Sequence, residues 1–306
     1  MRVCEVTEFG GPEVLRPSEH PWPVPAAGEV VVSIAAANVN PSDLAARSGA
    51  HRRRMPDLLT PFVLGWDLAG AVSEVGAGAS GYAVGDRVLG MIPWIQTGGR
   101  VGAYAEAAAV MPAWLAPRPE NLDDVTAATV SLNALTARQA LDLIAAPAGA
   151  TVLVTGASGA VGGYATQLAV QDGLRVLAIA SEGDEEWVAG LGPDEVLPRS
   201  TDLAGLDPVD AVIDAVPIGA AAAAPVRDAG VAVFTRRVEV GAERALRVQT
   251  PLVHCDPTAL AELARRVASG SLRTRVARTL DLGDAAEAHR LAERGGLRGK
   301  IVLTTH

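Results

Sequence analysis

The chain has 306 residues, a formal net charge of −9, and 49% hydrophobic against 20% charged residues. Its length predicts about two domains of roughly 100–200 residues each, with ample apolar material for packed cores. The acidic balance excludes a nucleic-acid backbone or an anionic membrane surface as the main partner, and no window of about 18 uninterrupted apolar residues predicts a membrane span.

Cys4 and Cys255 are the only cysteines. They are too few for a four-thiolate zinc lobe and too far apart to resemble a disulfide scaffold. The opening stretch MRVCEVTEFGGPEVL lacks the basic and apolar regions of a secretory signal, so a cytoplasmic protein is expected. The single basic cluster, HRRR at 51–54, reads as a solvated loop.

The first third reads as strands and turns. EVVVSIAAANVNP (29–41) begins as a β-branched run, and GAVSEVGAGASGYAVGDRVLGMI (70–92) alternates strand stretches with glycine turns. Pro21, Pro23 and Pro25 make HPWPVPAAGE an extended connector. Near PRPENLDDVTAATVSLNALTARQALDLI (117–144) the texture becomes helical, and Asp123 and Asp124 suit a helix N-terminus. Strands then alternate with helical segments. TVLVTG precedes a helix from about 160, RVLAIA (175–180) precedes another, and EVLP (195–198), VDAVIDAV (209–216) and VAVFTRR (231–237) follow. This alternation predicts a parallel α/β sheet. DPTALAELARRVASG (256–270) is an amphipathic helix, and the tail reads strand, helix, turn, strand.

The stretch TVLVTGASGAVGG (151–163) carries Gly156, Gly159 and Gly162 between an apolar strand and a helix. That context suits a dinucleotide: the glycines permit a tight turn and close backbone approach, and the helix N-terminus faces the pyrophosphate. The same glycines also serve strand–helix packing alone. No Lys-Ser or Lys-Thr follows for a P-loop, and Ser158 does not sit in Gly-x-Ser-x-Gly.

Several segments in order resemble the zinc-independent quinone oxidoreductase and enoyl reductase branch of the medium-chain dehydrogenase/reductase superfamily. They are NVNPSDLAARSG (38–49), PFVLGWDLAGAVSEVGAGASGYAVGDRVLG (61–90), GAYAEAAAV, SLNALTARQAL, GASGAVGGYATQLA and the closing LRGKIVL. The resemblance implies a GroES-like β-rich domain over 1–117 and 274–306, and a Rossmann doubly wound parallel sheet over 118–273, with substrate taken between them. Zinc-using members carry Gly-His-Glu where this chain has Gly65, Trp66 and Asp67, and a cysteine where it has Val39 or Asn40. An indole cannot ligate zinc, so no metal is expected.

The implied cofactor is NADPH, with NADH left open. The resemblance places Gly156, Ser158, Gly159, Ala160, Val161 and Gly162 around the pyrophosphate, Asn40 and Thr136 beside the nicotinamide, and Val216, Phe234 and Thr235 along the cofactor. An NAD-selective site carries an acid about 20 residues after the turn. Here the second strand ends in Ala180 and Ser181, and Ser181 resembles the small polar residue of NADPH-binding relatives. Asp184 and Glu185 follow where such relatives place a lysine, and a carboxylate there repels a 2′-phosphate. Arg199 falls where relatives place a tyrosine; it reads either as the phosphate's bidentate partner or as a solvated arginine.

The implied reaction is hydride transfer to a quinone or to the C=C bond of an α,β-unsaturated carbonyl. A proton must follow. His51 stands eleven residues after Asn40, where enoyl-reductase relatives carry a tyrosine, and reads as the general acid or as an exposed histidine. Tyr104 is a second candidate acid, or a packing residue. By resemblance the protein is a homodimer, pairing through an edge strand of the Rossmann sheet in VFTRRVEVG (233–241). A different class stays open: a reductase scaffold turned to cyclisation, isomerisation or ligand binding alone.

Overall fold

The computed structural model describes residues 1–241 and 244–305. Its contacts divide the chain into two units. The first comprises Met1–Leu132, His254–Ser269 and Arg275–His306, and the second Asn133–Val253 and Gly270–Thr274. Segments 118–132 and 254–269 thus pack with the first unit, so the expected boundaries at 117 and 273 shift.

The first unit opens with β1 (Arg2–Val6), antiparallel to β2 (Leu15–Glu19). The proline connector forms no regular element, and β3 (Val30–Asn38) follows it. β3 is buried along most of its length, which is why its β-branched run does not alternate with polar residues. α1 (Pro41–Arg47) starts at a capping box: the Asn40 side chain takes an amide of the first turn, and Asp43 returns to the Asn40 amide. Strands β4 (Phe62–Val63), β5 (Asp67–Val75), β6 (Arg87–Met91), β7 (Ala107–Val110) and β8 (Leu115–Pro117) complete this part. The HRRR run is a 3-10 turn, Ala50–Arg53, whose arginines are exposed.

The helix expected over 117–144 is broken. α2 (Asp124–Ala127) is capped by Asp123, and α3 (Ser131–Ile144) starts afresh. Thr129 and Val130 bond three residues back, to Thr126 and Ala127. The reason for the restart is distant in sequence: the Asp67 carboxylate accepts the Leu132 amide at 2.6 Å.

The second unit is a fully parallel sheet of β9 (Thr151–Thr155), β10 (Arg175–Ala180), β11 (Glu195–Pro198), β12 (Val209–Asp214), β13 (Val226–Phe234) and β14 (Arg247–Gln249). Its order, β11-β10-β9-β12-β13-β14, reverses direction between β9 and β12. In doubly wound sheets ligands bind beyond the carboxyl ends of the strands at that reversal. α4 (Ala160–Gln171) and α5 (Glu185–Ala189) follow β9 and β10. The segment expected to give a free edge, 233–241, does not: β13 ends at Phe234, and β14 pairs alongside it and forms the edge.

The chain returns to the first unit with α6 (Pro257–Ala268), β15 (Val276–Asp281), α7 (Ala285–Arg294) and β16 (Lys300–Thr304). β16 adds antiparallel to β3, within the order β15-β16-β3-β5-β6-β8. α7 carries His289 into the core, where it is 0% exposed. Arg47 Nη1 lies 3.2 Å from His289 Nδ1 and the Tyr104 hydroxyl 3.1 Å from Nε2. Arginine can only donate, so Nδ1 accepts and Nε2 carries the proton.

Burial and the Arg47 charge hold His289 down to about 3. The unfolded chain therefore binds one more proton between about 6.5 and 3, and stability falls as pH drops through that window, by at most about 1.4 kcal/mol per pH unit. Urea unfolding across that range should show this slope, and His289→Gln should flatten it.

Candidate functional site

Two constellations carry chemistry, one in each unit. In the second, β9 runs into the glycine turn and α4 opens with Gly159 as its N-cap. Gly156 sits at φ +67°, and a Cβ there would lie 2.4 Å from Val216 Cγ1. A Cβ on Gly162 would lie 2.2 Å from the Gly156 carbonyl oxygen. These two glycines are demanded by the turn's own packing. Gly159 is different: it is exposed, and its nearest neighbour to a Cβ is the Gly156 oxygen at 3.3 Å. Its bareness keeps the approach to the first-turn amides of Ala160 and Val161 open, and helix geometry gives those amides no partner of their own. The cradle fits a phosphate.

Neighbouring strand ends are locked to this turn. The Ser158 hydroxyl accepts the Ser181 amide at 2.9 Å, tying the turn after β9 to the end of β10. Thr155 Oγ1 donates to Asp214 Oδ1 at 2.6 Å, and the Gly219 amide donates to Asp214 Oδ2 at 3.0 Å. Thr235 Oγ1 donates to the Asp214 carbonyl at 3.1 Å. Phe234 is a core residue, 0% exposed, so only its backbone reaches the strand end. Thr136 is buried on α3, at 7% exposure.

In the register of β10 and β11, Ala180 faces Pro198. Ser181 and Arg199 each follow by one residue, side by side at the carboxyl edge. Arg199 is exposed and has no hydrogen-bond or ion-pair partner among the described residues. Asp184 stands at the N-cap position of α5 and is 5% exposed, whereas Glu185 is exposed in the first turn.

In the first unit a buried polar cluster surrounds Asn40, which is 1% exposed. Asn40 Nδ2 donates to Asp67 Oδ2 at 2.7 Å, and Asn38 Nδ2 donates to the same oxygen at 3.1 Å. Asn40 Oδ1 accepts from Lys300 Nζ at 3.0 Å and from Asn38 at 3.1 Å. The Asn40 amide donates to Asp43 Oδ2 at 2.8 Å. Burial raises the Asp67 carboxyl, against the Leu132, Asn40 and Asn38 donors and the Lys300 charge. Burial likewise pushes Asp43 up to about 8 and Lys300 down to about 8. Asn38, Asp67 and Lys300 were not singled out as site residues in the sequence. Their signals were present, in Asn-x-Asn, in the Gly-x-Asp strand and in the lysine of LRGKIVL, but only pairing across β3, β5 and β16 unites them.

His51 is half-buried, edge-on to Trp66 at 6.4 Å between ring centroids. Trp66 continues into Trp94 at 4.9 Å, and Trp94 into Phe62 at 5.4 Å. His51 Nε2 is buried and has no hydrogen-bond partner among the described residues. Burial, then the Arg54 charge, lowers its pKa. Tyr104 is 0% exposed, and burial holds its hydroxyl well above 10. Its hydroxyl accepts the His289 Nε2–H within the core of the first unit.

Residues 26–120 match the alcohol dehydrogenase GroES-like domain family, and 191–303 the zinc-binding dehydrogenase family. The chain superposes on the quinone oxidoreductase from Coxiella burnetii with a TM-score of 0.89 at 29% identity, covering 100% of this chain and 99% of that one. An NAD-dependent alcohol dehydrogenase gives 0.87 at 30% identity, covering 100% of both. The chain belongs to the medium-chain dehydrogenase/reductase superfamily. Among superfamily members in sequence, human quinone oxidoreductase is 39% identical over 200 residues, 64% of this chain and 58% of that protein. The chloroplast envelope quinone oxidoreductase homolog of Arabidopsis thaliana is 35% identical over 211 residues, 66% of this chain and 62% of that one. The match therefore spans less than two thirds of these relatives' length.

The zinc in that family description does not suit the donors present. Trp66 offers no ligand atom, and both Asp67 oxygens accept N–H groups. Among the described residues no three His, Cys, Asp or Glu side chains converge on a possible metal position. No helix among them is long and apolar enough to cross a membrane.

The glycine geometry yields a paired test. Gly162→Ala should lower the midpoint of thermal unfolding, because its methyl group meets backbone. Gly159→Ala should leave the midpoint within a degree or two and weaken nucleotide binding about tenfold, roughly 1.4 kcal/mol. Equal effects on stability would remove the ligand role of Gly159.

Proposed function

We propose that the protein is a zinc-independent, NADPH-dependent oxidoreductase that reduces a quinone or the C=C bond of an α,β-unsaturated carbonyl. The observation that carries this reading is the glycine turn: Gly159, the least tightly packed of its three glycines, stands exposed at the head of α4, beside the strand reversal. When bound, the nicotinamide supplies the hydride. The protein's own residues do the rest. The first-turn amides hold the pyrophosphate, while Ser158 keeps Ser181 in place at the ribose end. Ser181 and the unpaired Arg199 supply a donor and a positive fork for a 2′-phosphate. The relatives named as quinone oxidoreductases support the substrate class.

Parallel fluorescence titrations with NADPH and NADH test the cofactor. NADPH is expected to bind more tightly, and Arg199→Ala to weaken it about tenfold, roughly 1.4 kcal/mol, with NADH little altered. Equal losses would refute the phosphate role, and an NADH preference would assign the pocket to Asp184 and Glu185. Consumption of NADPH with 1,4-benzoquinone or methyl vinyl ketone then tests the reaction. Tight binding with no turnover on any quinone or enone would assign the fold to a non-redox task.

Proton delivery falls to His51, whose Nε2 is buried without a hydrogen-bond partner among the described residues and whose ring packs against Trp66. A general acid must be protonated, and its pKa is lowered from 6.5. Turnover on an enone should therefore fall as pH rises through a value below 6.5. His51→Phe should remove this limb and lower kcat without changing NADPH affinity. An unchanged pH profile in that variant would take His51 out of the mechanism.

A further inference from the structure

We infer that the first unit carries a second binding site, for a small aromatic monocarboxylate, over the bulge between β3 and β5. Ile34 pairs with Gly70 and Ala36 with Ala69, so Ala35 is an extra residue with no partner on β5. The strands pinch so closely there that a Cβ on Gly70 would lie 2.0 Å from the Ser33 carbonyl oxygen. Bulges open a sheet locally and recur beside binding sites. Over this one lies a cavity of about 390 Å³, walled by Ala35, Gly70 and Ala71, with Trp22, Arg87 and Arg118 also lining it. Its size falls in the range of small-molecule pockets.

Its unmatched arginine donors suit an anion. The Arg118 side chain is 1% exposed, and its Nε lies 3.0 Å from Asp124 Oδ1. Nη1 reaches only the Pro119 carbonyl, at 3.4 Å, and Nη2 has no hydrogen-bond partner among the described residues. A buried charged donor left unmatched is costly, so an acceptor delivered to that wall is stabilising. Arg87 is exposed, and no acid pairs with it among the described residues. The two lining acids are already engaged: Glu106 by Arg2 Nε at 2.7 Å, and Asp124 by Arg118. The lining holds two arginines and two acids, and Arg2 is shared between Glu106 and Asp281. Arg87 is the lining cation left without an acid among the described residues, and the balanced charge around it disfavours a dianion.

The body of the ligand follows from Trp22. The indole is 43% exposed, on a connector stiffened by Pro21, Pro23 and Pro25. A large aromatic held outside the core at a cavity lined by glycine and alanine backbone suits a flat apolar ring that stacks on it. The planar guanidinium fork of an arginine matches a carboxylate.

The test is calorimetric titration of the full chain with 2-naphthoate, 2-naphthamide and inorganic phosphate, with and without saturating NADPH. Naphthoate is expected to bind in both cases, about tenfold tighter than the amide or phosphate. Arg87→Gln and Trp22→Ala change exposed side chains and should each weaken it about tenfold, with far-UV circular dichroism unchanged. The inference is overturned by any of three results: no naphthoate binding up to about 5 mM, displacement by NADPH, or affinity unaltered in both variants. Equal binding of phosphate overturns the aromatic class. None of these outcomes depends on whether the protein reduces quinones.

Discussion

A single buried carboxylate organises the first unit. Asp67 sits at the start of β5 with 0% exposure, where an ion without partners would cost several kcal/mol. Its two oxygens take three N–H donors, from Asn38 and Asn40 at the end of β3 and from Leu132 at the start of α3. The requirement to satisfy one charge therefore fixes where β3 ends, where α3 begins and which way the Asn40 amide points. Lys300, arriving on β16, brings the compensating charge and closes the cluster through the Asn40 carbonyl. Each member is held by the others, so the arrangement is rigid before any ligand arrives.

The second unit follows the same logic with fewer charges. Asp214, at the end of β12, accepts Thr155 and Gly219 on its two oxygens. Ser158 and Ser181 tie the next pair of strand ends together. These bonds hold the carboxyl edge of the sheet as one surface, on which the glycine turn can present amides without moving. Gly156 and Gly162 pack that surface, and Gly159 leaves it open.

What the sequence disclosed and what it hid divide along separation in the chain. Strand 175–180, strand 195–198 and the helix from 160 lie where periodicity and glycine spacing place them, because their signals are local. The break between α2 and α3 left no local trace: 117–144 is helical in period throughout, and the interruption is imposed by a carboxylate 65 residues upstream. Segment 233–241 looked like an edge because nothing nearby marks the three-residue β14 that covers β13. The site was legible in the same uneven way. The glycine turn and Asn40 could be read from motifs, whereas Asp67 registered chiefly as a replaced zinc position and Lys300 as one letter of a closing motif. Tyr104 is named for its hydroxyl, and its full burial against His289 could not be read from the sequence around it.

The interrupted path of the chain has a consequence for synthesis on the ribosome. The second unit is nearly continuous, Asn133–Val253 with only Gly270–Thr274 added later. The first unit cannot close until β16 emerges, since Val302 pairs with Asn38 across almost the whole chain. During elongation the β16-facing edge of β3 waits with apolar residues and open hydrogen-bonding groups exposed, a species prone to wrong pairing. Residues 36–38 thus stay unpaired on that side from early in synthesis until residues 302–304 emerge, whereas residues 30–33 are covered sooner by β7. A holdase acting on this short segment would bridge the interval.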